Sequence, residues 1–274
     1  MNNFRIVSWN VQGLGGAQAQ KFKARLRQNL NKNFMRSVDM VFLQEHHLSP
    51  SRVDSYGSLF SGSWTHFWSP AIGESYNKAG VCITLAQKWS SHVIDYRILV
   101  EGRVQVIIVE IQNLQLGFIN VYAHNASSDR RRLWSYLCDT LPHVDHWCMV
   151  GDFNMIEDKL DRSGGSEAVL YGSELSFWER LCFKYGFQDT WYSSSFSKHV
   201  ESLQQISRSD RRLLGTNLAR LDRFYVDDFF IALGGSLQIL AGTTFSDHSP
   251  LIVTLKKVEK GKSFRTPIPS SLYV

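Results

Sequence analysis

Short apolar runs recur along most of this chain, and several of them stop at a small polar island. Residues 4–9 read as a first strand, with Phe4, Ile6 and Ser8 alternating on one face and Asn10 leaving on the same side. From Lys21 the spacing changes. Phe22, Leu26, Leu30, Phe34 and Val38 fall four apart, which predicts a helix with one apolar face. Its other face holds Lys21, Lys23, Arg25, Arg27, Lys32 and Arg36, a solvated surface that is also able to approach a phosphate backbone. Residues 40–43 read as a buried strand that delivers Glu45 just past its end. Residues 64–68, 79–85, 91–99, 104–111 and 116–122 are β-branched or aromatic runs separated by Gly, Asn and Ser, each the size of a strand. Helices are expected over 129–141, with Leu133, Leu137 and Leu141 on one face and Ser127 or Ser128 as cap, and over 175–185. Strands follow at 146–150, 221–226 and 252–255. This order is mostly β with helices at intervals, not a regular βαβα alternation. The expected fold class is α+β, two mostly antiparallel sheets packed face to face with helices outside.

The 274 residues suffice for one large domain with a buried core. No linker divides them, so one domain is expected over 1–256 and a basic, then Pro/Ser-containing tail over 257–274. The excess of 30 Lys and Arg over 25 Asp and Glu suits a polyanionic partner and is equally ordinary for a soluble protein. Cys82, Cys138, Cys148 and Cys182 are dispersed without a CxxC pair, which argues against structural zinc and for buried thiols in a reducing compartment. The start, MNNFRIVSWN, has no basic-then-apolar leader, and no run reaches the length of a membrane helix. An intracellular protein without membrane contact is expected.

The chemistry lies in the islands SWN at 8–10, QE at 44–45, GDFN at 151–154 and SDH at 246–248, with NVY at 120–122 and RLDRF at 220–224 between them. Glu45 at the mouth of an apolar strand pays for desolvation unless it is hydrated, paired or metal-bound. Hard oxygen ligands suit magnesium, which keeps several waters and takes one or two carboxylates. Glu45 is the preferred ligand with Asn10 beside it, although Asn10 alone reads equally as a turn former. Gly151 permits a tight strand exit, after which Asp152 and Asn154 project to one side and Phe153 faces the core. Asp152 is placed to hold or deprotonate water, and Asn154 to orient it or bind phosphate. Asp247 supplies a further metal-facing or orienting carboxylate, and His248 an imidazole aimed at phosphate. Asp222, inside an apolar strand, gains a reason to be buried if it pairs with a histidine. Tyr122 is either a packed phenol or a donor to a phosphate oxygen. Arg208, Arg211, Arg212 and Arg220 form a basic stretch that is read either as a solvated loop or as phosphate contacts.

Other motifs fail. Tyr225-Val-Asp-Asp228 matches a polymerase metal tetrad, but no palm-sized stretch remains to hold it. His46 and His47 diverge if extended and lack a third zinc ligand, and Gly164-Gly165 and Gly234-Gly235 lack the Lys-Ser/Thr of a P-loop.

Taken in order from Phe4 to Leu255, the islands resemble the endonuclease/exonuclease/phosphatase superfamily. The resemblance implies a DNase I-like four-layer αβ-sandwich, a divalent cation (Mg2+, with Mn2+ as substitute) and hydrolysis of phosphodiesters or phosphomonoesters. It places Asn10, Glu45 and Asp247 at the metal, Tyr122 at the phosphate and Asp152 on the nucleophilic water with Asn154 beside it. Asp222 falls behind His248, which faces the scissile phosphate. SWNVQGLG, GDFNMIEDKLDRSGG and RLDRFYV are most similar to the endonuclease domain of non-LTR (LINE-type) retrotransposons. That implies a monomeric domain that nicks DNA, nuclear if it acts on host DNA, beside a reverse transcriptase domain that this chain has no room for. Departures remain. Ala123-His124 stands where relatives read Ala-Pro or Gly-Pro, and 199–219 is polar where relatives carry a hairpin that shapes the DNA-facing rim. The alternatives are a catalytically impaired nucleic-acid-binding derivative and a phosphatase or phosphodiesterase for a small phosphorylated substrate.

Overall fold

Two sheets organise the chain in a computed structural model that describes residues 3–14, 37–56, 64–71, 78–163, 170, 172–199, 218–240 and 246–256. The first sheet joins β1 (Phe4–Asn10), β2 (Met40–Gln44), β3 (Trp64–Ser69), β4 (Val81–Ala86), β11 (Phe196–His199), β14 (Gly235–Ile239) and β15 (Leu251–Leu255), in the order β11-β14-β15-β1-β2-β4-β3. The second joins β5 (Val93–Val100), β6 (Val104–Ile111), β7 (Leu114–Tyr122), β8 (His146–Asp152), β10 (Gln188–Asp189) and β13 (Asp222–Val226), in the order β10-β13-β8-β7-β6-β5. A ribbon of β9 (Arg162–Ser163) and β12 (Leu218–Ala219) stands apart. Pairing is antiparallel except for β1 with β2, β11 with β14 and β7 with β8.

Each sheet has two buried faces. Between the sheets lie Ile6, Phe42 and Val253 of the first and Ile107, Phe118, Val150 and Phe224 of the second. The outer face of the second sheet packs Val106, Ile119 and Met149 against α1 (Ser127–Thr140) and α2 (Gly172–Tyr185), which contribute Leu133, Trp134, Leu137, Trp178 and Leu181. These helix residues recur three or four apart, the spacing of one helical face. Burial on both sides explains why β6 runs VQVIIV with little alternation. Outside the first sheet, Val7, Trp9, Val41, Leu43 and Ile252 pack with Leu48 and Tyr56. The arrangement is the four-layer αβ-sandwich expected from the sequence. The anticipated helix over 21–38 and the tail over 257–274 fall largely or wholly outside the described residues.

Among the elements the sequence pattern does not predict are the two-residue strands β9, β10 and β12, the strands β11 and β14, and α3 (Asp228–Leu233). Within the tetrad-like Tyr225–Asp228, Asp227 caps α3 by accepting from the Phe230 N–H, and it also accepts from the Trp147 N–H at 3.0 Å. Its carboxylate is consumed by structure.

Candidate active site

Strand parity gathers the site. Ser8 and Asn10 continue the face of Ile6, Tyr122 that of Phe118, Asp152 that of Val150, and Asp222 that of Phe224, so the inter-sheet face ends in polar side chains at one edge. Tyr122 is in register with Asp152, and Asp152 with Asp222, placing the three side by side on β7, β8 and β13. Gly151 sits at φ +144°, and a Cβ there would lie 1.9 Å from the Val121 carbonyl oxygen, so only glycine passes this point. Glu45 follows β2 at φ +54°, fixed by Gly13 N–H donating to its carbonyl and His46 N–H donating to the Gly80 carbonyl.

Asn10 lies between the two carboxylates. Its Nδ2 donates to Glu45 Oε1 and to Asp152 Oδ2, both at 2.9 Å, while its Oδ1 accepts from the Gln12 N–H. The amide thus presents nitrogen to the two acids and bridges Glu45 to Asp152. Asp152 Oδ1 accepts from the Asn154 N–H at 3.0 Å, and Asn154 Nδ2 donates to the Ala123 carbonyl. Burial raises the Asp152 pKa, and Asp222 and Glu45 add to the rise against the pull of His248 and Asn10. Burial also works to raise that of Glu45, but hydrogen bonds from His47, Tyr122 and Asn10 outweigh it and leave the value lowered.

His248 reaches the second sheet from a loop tied to the first. Trp9 Nε1 donates to its carbonyl, Ser246 Oγ donates to the Asn10 carbonyl, and the Asp247 N–H donates to Gln12 Oε1. The imidazole Nδ1 lies 2.7 Å from Asp222 Oδ2, and Nε2 lies 3.8 Å from both Asp152 Oδ2 and Asp247 Oδ1. Burial disfavours its charge, yet Asp222 and Asp152 push its pKa well above the usual histidine range, so it stands protonated. Tyr122 is held as the neutral phenol by burial and by Glu45. Asn10, Glu45, Tyr122, Asp152, Asn154, Asp222, Asp247 and His248 therefore form one connected cluster.

Among the described residues no three His, Cys, Asp or Glu side chains form a ready-made metal cage. The donor chemistry nevertheless suits a hydrated hard cation, because Glu45, Asp152 and Asp247 offer carboxylate oxygens at one edge of the two sheets. His46 takes no part. It is buried against Gly80 with its pKa pushed down to about 3 by burial, and His47 bonds Glu45.

Two cations change place in the account. Arg220 is a correction: it is buried, and it pairs with Asp161 at 2.7 Å and Asp189 at 2.6 Å, so it is spent inside the fold and does not face a backbone. Arg208, Arg211 and Arg212 lie outside the described residues. Arg103, passed over in the sequence, lies with its guanidinium 4.3 Å from the centre of the Tyr122 ring, with no carboxylate partner found for it among the described residues. The available signal was an arginine immediately before the apolar-rich strand β6, whose first residues, Val104 and Gln105, pair with Val121 and Asn120 of the NVY island.

Comparison with known proteins agrees with this fold. The Endonuclease/Exonuclease/phosphatase family matches residues 7–248. No curated protein matches the sequence. Among solved structures, the AP endonuclease LMAP of Leishmania major superposes with a TM-score of 0.68 at 16% identity, covering 94% of this chain and 89% of that one. The 3' phosphatase NExo of Neisseria, bound to a product DNA hairpin, gives 0.63 at 18% identity over 93% and 100%. The endonuclease domain of TRAS1, a telomere-specific non-LTR retrotransposon, gives 0.59 at 13% over 93% and 98%. The fold comparison therefore does not set the retrotransposon domain ahead of the other two. With a family match running from β1 to His248, the chain belongs to the endonuclease/exonuclease/phosphatase family.

Proposed function

We propose that this protein is a divalent-cation-dependent phosphodiesterase that nicks DNA. The observation that carries the reading is His248, held by Asp222 at 2.7 Å and turned toward Asp152 from the opposite sheet. Glu45 and Asp247 would hold magnesium or manganese, which when bound supplies Lewis-acid stabilisation of charge at the phosphate. Asp152 accepts the proton of the attacking water, a role suited to a carboxylate whose pKa is raised toward neutrality. Asn154 orients that water. Protonated His248 and the Tyr122 hydroxyl donate to non-bridging oxygens, and Asp222 keeps the imidazolium oriented.

The stretches SWNVQGLG, GDFNMIEDKLDRSGG and RLDRFYV support a retrotransposon-type nicking domain, which would act in the nucleus beside a reverse transcriptase. The purified protein should convert supercoiled plasmid to relaxed circles with Mg2+ or Mn2+ and do nothing in chelator. Inactivity of a folded preparation on several DNA forms with both metals would sink this reading. The burial of Arg220 supports a second one, since it removes one cation from the expected backbone contact. Cleavage of a nucleotide or inositol phosphate with DNA untouched would establish a small-substrate phosphatase or phosphodiesterase. Salt-sensitive DNA binding without products would mark an impaired binding derivative.

Arg103 is assigned to a substrate phosphate. Arg103→Met should raise KM for DNA roughly ten-fold and lower the salt slope of binding by about one, as loss of one phosphate contact does. An unchanged slope would remove Arg103 from the interface.

A further inference from the structure

Below the candidate site the interface between the sheets is not wholly apolar. Gln44, Asn120 and Gln105 are completely buried there, and Ser8 nearly so. Gln44 Nε2 donates to Ser8 Oγ at 3.2 Å and, across the interface, to Asn120 Oδ1 at 2.8 Å. Asn120 Nδ2 donates back across it to the carbonyls of Leu43 and Cys82, each at 3.1 Å. Gln105 is the partner of Asn120 on β6. With its amide oxygen turned toward β4 it accepts from the Ile83 and Cys82 N–H groups at 2.6 and 3.2 Å, and its nitrogen donates to the Phe67 carbonyl. Gln44 and Asn120 are bonded directly, and Gln105 so turned joins them through the main chain of Cys82, giving a seam that spans β1, β2, β4 and β3.

The seam lies directly under the reacting groups. Gln44 immediately precedes Glu45, and Ser8 and Asn120 stand two residues before Asn10 and Tyr122 on the same strand faces. The site is itself divided by the interface. Asn10, Glu45 and the Ser246–His248 segment come from the first sheet's side, while Tyr122, Asp152 and Asp222 come from the second. Asn10 to Asp152 and His248 to Asp222 are therefore contacts between sheets. Apolar packing resists separation of sheets without fixing their lateral register closely, whereas hydrogen bonds demand direction and distance. Gln44 Oε1 has no hydrogen-bond partner among the described residues, a cost that an apolar side chain at that position would not carry.

We propose that the Gln44–Asn120–Gln105 seam is a positioning device that sets the register of the two sheets and thereby aligns His248 with Asp222 and Asn10 with Asp152. These amides touch no substrate; they act through the residues they align. The kinetic part of the proposal rests on the hydrolase reading, and the geometric part does not.

Asn120→Leu and Gln44→Met keep volume while removing the bonds, and Ser8→Ala removes one bond only, for use should the larger changes prevent folding. Ile107→Ala, in the same inter-sheet core, serves as a control for lost packing. Each variant is assayed on plasmid well below its melting temperature, and the Nδ1–H proton of His248 is observed by NMR in 15N-labelled protein. The seam variants should lower kcat about ten-fold or more with KM unmoved, and should lose or broaden the downfield His248 signal, with Ser8→Ala showing the smaller effect. The Ile107→Ala control should keep both. A displacement of about an ångström suffices for losses of that size. Folded seam variants that keep the signal and kcat, or a control that loses as much, would overturn the proposal. If wild-type protein shows the signal but hydrolyses no phosphate ester, the hydrolase reading fails and the NMR comparison alone decides the seam.

Discussion

Asp152→Asn and His248→Ala should each lower turnover at least about 100-fold while circular dichroism shows an intact fold. Asp152 is buried, and its two oxygens are already directed, one by Asn10 and one by the Asn154 N–H. Asparagine preserves the shape, removes the proton acceptor and places either an NH2 or a weaker acceptor against those donors. KM should move less than kcat, because the group lost handles the nucleophile and does not grip the substrate. His248→Ala removes the imidazolium and leaves the Asp222 carboxylate facing a void, so its effect combines lost phosphate stabilisation with uncompensated negative charge. A plasmid assay on both variants decides the matter. Nicking within a few-fold of wild type by either folded protein would break the role given to that residue.

Arg223→Met should be strongly destabilising, at about 3–5 kcal/mol, the range found when one member of a buried ion pair is deleted. Arg223 is fully buried on β13, adjacent to Asp222. Burial opposes its charge, yet the surrounding acids hold its pKa above the ordinary arginine value. Its guanidinium reaches Glu157 at 2.8 Å, Asp161 at 2.7 Å and Asp189 at 3.2 Å. Methionine fills much of the space but leaves three acids with only Arg220 to answer Asp161 and Asp189. Urea unfolding followed by fluorescence should show the loss as a shift in midpoint. A change below about 1 kcal/mol would mean that water or a rearranged Arg220 replaces the missing charge.

The parts of this molecule legible in the sequence are those governed by strand alternation. Phe4, Ile6 and Ser8 predict the face of Asn10, and the run 116–122 predicts that of Tyr122, because a period of two leaves a side chain only two directions. A histidine partner for Asp222 is expected for a related reason, since an acid inside an apolar strand needs a partner, and the family resemblance names His248 as that histidine. Legibility ended where tertiary context decides. Arg220 reads as a surface cation from its neighbours in sequence, and only the folded chain shows Asp161 and Asp189 closing on it. The bridge that Asn10 makes between Glu45 and Asp152 joins residues 35 and 142 positions away, which no local pattern announces. β14, GSLQI, is five residues with a polar interruption and carries too little pattern to separate from loop. Gln44, Gln105 and Asn120 look like polar positions of half-exposed strands until a second sheet covers them.

The pairing of β1 with β15 has a consequence for how the protein is made. Arg5 and Thr254 are hydrogen-bonded neighbours although 249 positions apart, and β2 pairs in turn with β1. On a ribosome the first strand therefore waits, with one edge unpaired, until nearly all of the domain has been synthesised. The loop that carries His248 enters with the final strand, so the contact of His248 with Asp222 forms last. Such long-range closure is slow, and the waiting edge invites association with other chains. A fragment ending before β15 leaves that edge of β1 without its partner strand.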